Sequence, residues 1–301
     1  MAERVLTLRE LNRTTLLRQL LLRRERLPVA RAIERVAALQ AQWAPAPYVA
    51  LWARLDGFER RALERALVRR SVVKGLLMRA TMHLVSARDY PWFDACVREV
   101  RTAVRTRGTE PPPARVVARA VALTRERPHT RPELMRALGY DPRTQDPHEI
   151  REFSWVVALA RLEQTPEAAF WSFRGSPSLQ PVEHELPPQP EASVHLIRRY
   201  LAAFGPAARA DVSQWSGVPI RDLLAGFDAH KDRTRVLPDE YRAQVIAVNG
   251  DVRQAILVDG FVAGYWEQEG DRVAIHPFAP LPRQVRGEVE DEARRLAAWL
   301  G

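Results

Sequence analysis

The chain has 301 residues, of which 46% are hydrophobic and 28% charged, as in a globular protein with a sizeable buried core. No apolar run approaches the roughly 20 residues of a membrane span, and the N-terminus lacks an apolar signal-peptide segment. Cys96 is the only cysteine, which excludes an intramolecular disulfide and a thiolate zinc cluster. We therefore expect a cytoplasmic protein without a membrane partner.

Positive charge is concentrated in the first third of the chain. The formal net charge is +9, and all but two of the 46 basic residues are arginines. Residues 1–108 hold 22 basic and 10 acidic residues, a net charge of +12, whereas the remainder has a net charge of −3. Arginine binds phosphate through two donors, so this pattern favours a polyanion partner. The alternative explanation of the same composition is a codon bias towards arginine, with the arginines on solvated helix faces.

Residues 1–108 are predicted to form a first winged-helix unit. A first helix is predicted from apolar residues at helical spacing, with Asn12 available as N-cap: Leu11, Leu16, Leu17, Leu20 and Leu21. Further helices are predicted over Val29–Leu39 after Pro28, from near Tyr48, and near Glu59–Arg69. The β-branched stretch 72–85 predicts a strand. Ser86 and Asp89 predict a capping box for a helix that runs to about Arg105. Helices followed by strand in this order indicate a winged helix.

Residues 109–190 are predicted to form a second winged-helix unit and a linker. Thr130 and Glu133 predict a capping box, Gly139 ends that helix, and a further helix covers about 148–162. The segments 161–165 and 169–175 are interpreted as the two strands of a wing. The proline-rich segment 181–190 is interpreted as a linker.

The last two parts change from helical to strand periodicity. Residues 191–242 contain two short helices around Ser216-Gly217, which predicts a helix-turn-helix. Residues 243–301 predict a β-rich module, with hairpin turns at Asn249-Gly250 and Asp259-Gly260 and a helix from about Pro282 to Leu300. The expected fold class is α+β, mostly helical, with tandem winged-helix units and a C-terminal module rich in β-hairpins.

Conventional catalytic motifs do not occur in this sequence. It has no P-loop, GxGxxG, HExxH or GxSxG motif, and its seven histidines are scattered, so we expect no metal and no cofactor. The unusual feature is Gln40-Ala41-Gln42, which precedes Trp43 at a proline-broken segment. In extended backbone the two amides point to one side. An amide holds water through its oxygen and donates through its nitrogen, although two glutamines are more often surface or capping residues.

Four segments resemble the AlkZ/YcaQ-type winged-helix DNA glycosylases in the order that this family has them: 11–58, LMRATMHLVSARDY at 77–90, 198–217 and 230–266. The resemblance implies tandem winged helices that form a concave DNA channel. It also implies DNA repair by excision of N7-alkylated purines, and in some members the unhooking of interstrand crosslinks made by genotoxins, a route to self-resistance. The family's signature is Gln–apolar–Gln or Gln–apolar–Asp, so Gln40 and Gln42 are the expected catalytic residues.

Further side chains are candidates for DNA contact: Trp43, Arg79, Thr81, His83, Arg233 and Arg235. Trp43 adjoins the amide pair and can stack on a base. Arg79, Thr81 and His83 alternate on one face of the expected strand, with Arg79 on phosphate and His83 near the lesion; a wing edge with a packed histidine is the alternative. Arg233 and Arg235 contact the DNA backbone in one interpretation and pack helices in the other.

The resulting hypothesis is a monomeric, monofunctional DNA glycosylase that acts on double-stranded DNA with alkylated purines. Two alternatives stay open: a non-catalytic winged-helix DNA-binding protein or transcriptional regulator, and a protein that sequesters the free genotoxin. One departure from the family concerns residues 218–235, VPIRDLLAGFDAHKDRTR, which run directly from the third helix-turn-helix into the block with Arg233. Family members have a longer segment there, so we expect a shortened third wing.

Overall fold

The computed structural model describes residues 7–205, 207, 209–223, 244, 253–258 and 261–300. The chain divides into two compact units, one of Arg18–Ala229 and one that joins Met1–Leu17 to His230–Gly301. Helices and small antiparallel sheets alternate, which confirms the α+β, mostly helical class. In the described part of the chain, every helix is too short or too polar to cross a membrane.

The helices are α1 Leu8–Arg18, α2 Val29–Arg35, α3 Ala46–Trp52, α4 Arg60–Val68, α5 Tyr90–Arg105, α6 Ala114–Glu126, α7 Arg131–Ala137, α8 Pro147–Leu159, α9 Gln189–Phe204, α10 Arg209–Ser216 and α11 Arg283–Leu300. The strands are β1 Leu39–Gln40, β2 Val72–Leu76, β3 Met82–Ser86, β4 His129–Thr130, β5 Leu162–Gln164, β6 Ser178–Pro181, β7 Gln254–Val258, β8 Phe261–Glu269 and β9 Arg272–Pro277. Short 3₁₀ turns cover Met78–Ala80, Pro166–Ala169 and Ile220–Asp222.

The larger unit repeats one order of elements twice. The first copy runs α2–β1–α3–α4–β2–β3, and its antiparallel sheet has the order β1–β3–β2. The second copy runs α6–β4–α7–α8–β5–β6, and its sheet has the equivalent order β4–β6–β5. The predicted tandem winged helices are therefore confirmed.

Local hydrogen bonds explain where several helices begin. Thr130 and Glu133 form the expected reciprocal capping box at α7. At α5 only half of the predicted box forms: Asp89 N–H donates to Ser86 Oγ at 3.1 Å. The Asp89 carboxylate instead accepts from the side chains of His195 and Arg199 on α9. The contacts of Asp89 with α9 therefore take the place of the second half of the local capping box at α5.

Three element boundaries in the prediction were wrong. Asn12 is buried inside α1, which begins at Leu8 behind a Thr7–Glu10 hydrogen-bond pair. Helix α2 stops at Arg35, because Ala37 adopts a left-handed φ of 69° and the chain then enters β1. The stretch 72–85 is a hairpin, since the chain reverses at Met78–Ala80.

The second wing also differs from the prediction. Strand β5 lies where expected, but its partner is β6, which ends inside the segment interpreted as a linker. Residues 169–175 are not strand because they pack against the first winged helix. Tyr48 of α3, fully buried, donates to the Ala169 carbonyl and accepts from the Trp171 N–H, both at 3.1 Å. These bonds fix α3 against the second winged helix.

The first sheet rests on a core made with α5, α9 and α10, including Val85, Phe93, Leu196 and Val212. Helix α10, the turn at Gly217 (φ 81°) and the 3₁₀ turn form the described part of the third helix-turn-helix. Its second helix is thus shorter within the described residues than expected. The predicted shortened wing, Arg233 and Arg235 lie outside the described residues.

The smaller unit contains an antiparallel sheet in the order β7–β8–β9, and α11 packs against β9. The predicted strand-rich module and its terminal helix are confirmed for this part of the chain. Both predicted turns, Asn249-Gly250 and Asp259-Gly260, lie outside the described residues. The division into 1–108, 109–190, 191–242 and 243–301 stays a prediction.

Candidate functional site

The two glutamines lie at the exposed edge of the first sheet. Gln40 is the last residue of β1, and Gln42 is the second residue of the loop that leads to α3. Both side chains are exposed, whereas Ala41 between them is 1% exposed. The expected alternation is therefore present: Ala41 anchors the segment in the core, and the two amides face away from it.

A side-chain hydrogen bond fixes Gln42. Ala41 N–H donates to the Met82 carbonyl at 2.7 Å, as in a continued strand ladder. The next hydrogen bond in this ladder uses the Gln42 side chain in place of the backbone: Met82 N–H donates to Gln42 Oε1 at 3.1 Å. The oxygen of Gln42 is therefore engaged, and its NH₂ group has no hydrogen-bond acceptor among the described residues. Gln42 is an oriented donor.

Gln40 differs from Gln42 in having an unengaged amide. Its backbone pairs with His83 of β3, but its side chain makes no hydrogen bond to any residue that the structure describes. Both the carbonyl oxygen and the NH₂ group are accordingly open to a water or a ligand. Gln40 and Gln42 together present one acceptor and two donor groups at the same strand end.

His83 is buried beside Gln40 and supports the sheet. Residues paired across antiparallel strands share a face, so Gln40 and His83 lie on one side, followed by Gly75 of β2. A Cβ at Gly75 would lie 2.6 Å from the Tyr90 ring, so the ring can pack this close to β2 only because residue 75 is glycine. His83 Nδ1 donates to the Thr81 carbonyl at 3.0 Å. Burial lowers the pKa of His83 to about 4, so the ring is neutral near pH 7.

The expected strand face with Arg79, Thr81 and His83 is not observed. Arg79 and Ala80 both have left-handed φ values, 52° and 55°, and form the central positions of a tight turn closed by Thr81 N–H to Met78 carbonyl. Thr81 is half-buried, and its hydroxyl donates to the same carbonyl at 3.1 Å. Only His83 lies on β3. Non-glycine residues rarely adopt this turn, which is why alternation predicted a strand.

The turn presents Arg79 to solvent and rests on the third helix-turn-helix. The Arg79 guanidinium is exposed and has no ion pair or hydrogen bond within the described chain. A Cβ at Gly217 would lie 3.2 Å from Arg79 N and 3.3 Å from its Cα. The backbone of Gly217 therefore supports the turn from below. Trp43, 51% exposed, lies in the loop after Gln42.

No group of three His, Cys, Asp or Glu side chains among the described residues has a geometry suited to a metal ion. The described candidates therefore form a surface of two amides, an indole and a guanidinium near a buried neutral imidazole. Arg233 and Arg235 lie in the part of the chain that is not described.

Sequence reasoning missed one group of basic side chains. Arg101 and Arg105 of α5 and Arg131 of α7 meet at the junction of the two winged helices, where they line a cavity of about 240 Å³. These residues are up to 30 positions apart, and no local motif joins them. The concentration of arginine in residues 1–108 includes Arg101 and Arg105 but not Arg131.

The fold and the exposed strand end define a tandem winged-helix protein with a polar surface site. The family model described as "DNA glycosylase AlkZ-like" matches residues 33–229 and 218–299. The chain therefore belongs to the AlkZ-like DNA glycosylase family. Its fold is similar to that of the DNA glycosylase AlkZ of Streptomyces sahachiroi, with a TM-score of 0.72, 18% sequence identity and 98% of each chain covered. Among curated proteins, none matches at a significant level.

Proposed function

We propose that this protein hydrolyses the N-glycosidic bond of cationic N7-alkylated purines in duplex DNA, with Gln40 and Gln42 as catalytic residues. The observation that carries the proposal is the strand end of β1. One amide there is open to water, and the other is oriented by the backbone of β3. The family membership supplies the DNA substrate and the glycosylase class.

An amide pair suits a leaving group that is already charged. Glycosidic cleavage passes through an oxocarbenium-like transition state. A neutral base leaves poorly without protonation, whereas an N7-alkylguanine is cationic and becomes neutral on departure. The protein then has to position a water and to tolerate the developing charge on the sugar. Carboxylates would stabilise that charge more strongly, so amides restrict the reaction to labile, cationic lesions.

The hydrogen bonds of the two amides support different proposed roles. Gln40, with its oxygen free, holds the attacking water as an acceptor. Gln42, with its oxygen bound to Met82 N–H at 3.1 Å, directs its NH₂ group towards the sugar or the adjacent phosphate. Trp43 stacks on a neighbouring base, and Arg79 contacts phosphate. The neutral His83 packs beneath Gln40 and is a positioning residue.

Water is the proposed nucleophile, so the enzyme is monofunctional. A lyase needs an amine that forms a Schiff base. Of the two lysines in the sequence, Lys74 is buried and donates to the Ala168 carbonyl at 2.9 Å. Burial also lowers the pKa of Lys74, and the other lysine, Lys231, lies outside the described residues. With water as the nucleophile, borohydride should trap no covalent complex with lesion DNA.

The exposure of the site also favours bulky substrates. Trp43 and both amides are at the surface rather than in an enclosed pocket. We extend the proposal to the unhooking of interstrand crosslinks made by genotoxins, which would give self-resistance in the cytoplasm. The same surface acts in a monomer, since both amides belong to one chain.

The test is incubation with duplex DNA that carries one N7-methylguanine, scored for released base. Wild type should release the base, Gln40→Ala should release it far more slowly, and Gln145→Ala should match wild type. Gln145 is a control because it is an exposed glutamine in the second winged helix. Absence of release, together with tight binding to one palindromic sequence, would contradict the proposal and favour a transcriptional regulator.

A further inference from the structure

A cavity of about 240 Å³ lies between the two winged helices. The first winged helix and α5 contribute Met82, Tyr90 and Arg101 to its wall, and the second contributes Arg131 and Arg161. A volume of this size is below that of sites for drug-sized ligands. The volume suits a small group, such as a phosphate with the atoms directly attached to it.

The wall carries an excess of positive charge. Five arginines and two carboxylates line the cavity, a net charge of +3: Arg98, Arg101, Arg105, Arg131, Arg161, Asp94 and Glu163. Both carboxylates are already engaged. Asp94 accepts from Arg98 and Arg101 and lies 3.3 Å from His184 Nε2, and Glu163 pairs with Arg70. Burial favours protonation of Asp94, but the His184 bond and the charges of Arg101 and Arg98 lower its pKa to about 2.

Arg105 and Arg131 have no carboxylate partner among the described residues. The Arg131 guanidinium lies 4.6 Å from the centre of the Phe153 ring, which holds it in place without neutralising it. Burial and then the charge of Arg105 lower the pKa of Arg131, while Arg105 itself keeps part of its side chain exposed to solvent. Like charges are thus held together in the free protein, and an anion between them would relieve the repulsion.

Unused donors lie in the same wall. The Nε–H groups of Arg98 and Arg161 are buried and have no hydrogen-bond acceptor in the described chain. Buried donors without partners are rare in folded proteins, and an arginine fork matches the oxygens of phosphate. The cavity therefore offers both the charge and the donors that a phosphate needs.

The cavity adjoins the proposed catalytic strand end. Met82 lines the cavity, and its N–H donates to Gln42 Oε1. Tyr90 also lines it, and the Tyr90 ring covers Gly75 on the sheet face that carries Gln40 and His83. A group bound there would lie on the side of the sheet that also carries Gln40.

We propose that this cavity binds a backbone phosphate of the DNA strand that carries the lesion, within a few nucleotides of the excised base. Arg105 and Arg131 are the residues that hold this phosphate, and they position the sugar for the two amides. The inference rests on the DNA substrate of the proposed function and adds a fixed point of contact that sets the register of the strand.

The first test measures binding to an uncleavable duplex, in which a 2′-fluorine on the lesion nucleotide blocks excision. Arg105→Gln and Arg131→Gln should weaken binding roughly tenfold at low salt and reduce the log–log salt slope by about 0.9, as expected for one lost phosphate contact. The control is Arg136→Gln, because Arg136 is exposed on α7 and does not line the cavity. It should stay within twofold of wild type. If all three variants bind like wild type, the inference is wrong.

The second test replaces single phosphates around the lesion with neutral methylphosphonates. Wild type should lose affinity most at one position, and Arg105→Gln should show no further loss at that position. If every position stays equally sensitive in the variant, the inference is overturned. Arg105→Gln is sufficient for this test if Arg131→Gln, which also loses its stacking on Phe153, fails to fold.

A third measurement distinguishes DNA phosphate from a free anion. Titration with inorganic phosphate should show at most weak binding to wild type. Tight binding that Arg105→Gln abolishes, with DNA affinity unchanged, would assign the cavity to a free phosphate and overturn the proposal. All three tests measure binding, so a protein that fails to release N7-methylguanine but keeps the phosphate contact refutes only the proposed reaction.

Discussion

The two winged helices have the same sheet order but use the same strand end differently. Gln40 ends β1 opposite His83, and Thr130 ends β4 opposite Ser178. In the second unit α7 follows at once, and Thr130 is engaged as its N-cap. In the first unit a five-residue loop separates β1 from α3, and Gln40 stays free of such a bond.

Under the proposed function, this difference gives one scaffold both a structural and a catalytic strand end. A cap uses the polar side chain of the strand end to satisfy a helix N-terminus, as Thr130 does. In the first unit Pro45 precedes α3, and no side chain caps that helix. The Gln40 amide is therefore not used as a cap, and the Gln42 side-chain oxygen accepts from Met82 N–H. Under the proposed function, this five-residue loop and the preceding strand end carry the catalytic residues.

The largest expected effect separates positions 40 and 130. Gln40→Ala should lower single-turnover excision of N7-methylguanine on the order of 10²-fold, the scale of losing one electrostatic or proton-transfer partner. Thr130→Ala should leave excision unchanged and lower the free energy of unfolding by about 1 kcal/mol, as for a lost N-cap. Excision kinetics and chemical denaturation check both. Equal excision losses in the two variants would remove the distinction between the strand ends.

Substitutions of Gln42 test the second amide at the strand end of the first winged helix. Gln42→Ala should also lose excision on the order of 10²-fold, because the donor fixed by Met82 disappears. Gln42→Asp should keep much of the activity, since a carboxylate orients water and stabilises an oxocarbenium ion better than an amide. The aspartate side chain is one methylene shorter, so its carboxylate should lie slightly away from the position of the glutamine amide and some activity should be lost. An aspartate variant as slow as the alanine variant would contradict this role, provided that its melting temperature matches that of wild type.

Two glycines with left-handed backbone can be compared: Gly217, which supports the Arg79 turn, and Gly139 in the second winged helix. Gly217 and Gly139 both have left-handed φ values, 81° and 88°, but only Gly217 has backbone within 3.4 Å of a new Cβ. Gly139→Ala should cost about 1 kcal/mol from strain alone. Gly217→Ala should cost about 1–3 kcal/mol and also weaken duplex binding, because it displaces Arg79. Thermal melting and a binding titration separate the two effects. Identical behaviour would mean that Gly217 does not support the turn.

The smallest expected effect concerns His83, whose counterpart is Ser178. Unfolded His83 binds a proton below about pH 6.5, whereas the folded ring does so only below about pH 4. Stability should therefore fall as pH drops through this window, with about 1 kcal/mol lost to His83 by pH 5.5. His83→Ser should lose this part of the pH dependence. Denaturation at pH 7.5 and 5.5 checks it, and an unchanged difference would place the pKa of His83 near its usual value.

Local signals predicted much of the fold. The capping box at Thr130 depends on residues three apart, and Gly139 adopts the left-handed φ expected after α7. Helix α11 begins one residue after its predicted start. The tandem order of elements followed from these signals. The second wing strand was misplaced because residues 169–175 are held by Tyr48, more than 120 positions away.

The geometry of the candidate site was only partly predictable from the sequence. The exposure of Gln40 and Gln42 around buried Ala41 followed from strand alternation. The bond from Met82 to Gln42 depends on strand register, which the sequence pattern did not determine. The left-handed turn at Arg79 violates the usual preference for glycine, so alternation extended the strand through it. The arginine cavity joins separate helices, and only tertiary structure reveals it.

The most direct test of the catalytic assignment compares excision rate with affinity in the same proteins. Single-turnover excision of N7-methylguanine is measured for wild type, Gln40→Ala and Gln42→Ala, beside a titration of each with the uncleavable duplex. The account predicts rates lower on the order of 10²-fold, with dissociation constants within a few fold of wild type. Equal rates in all three proteins, or a loss of rate matched by an equal loss of affinity, would contradict it.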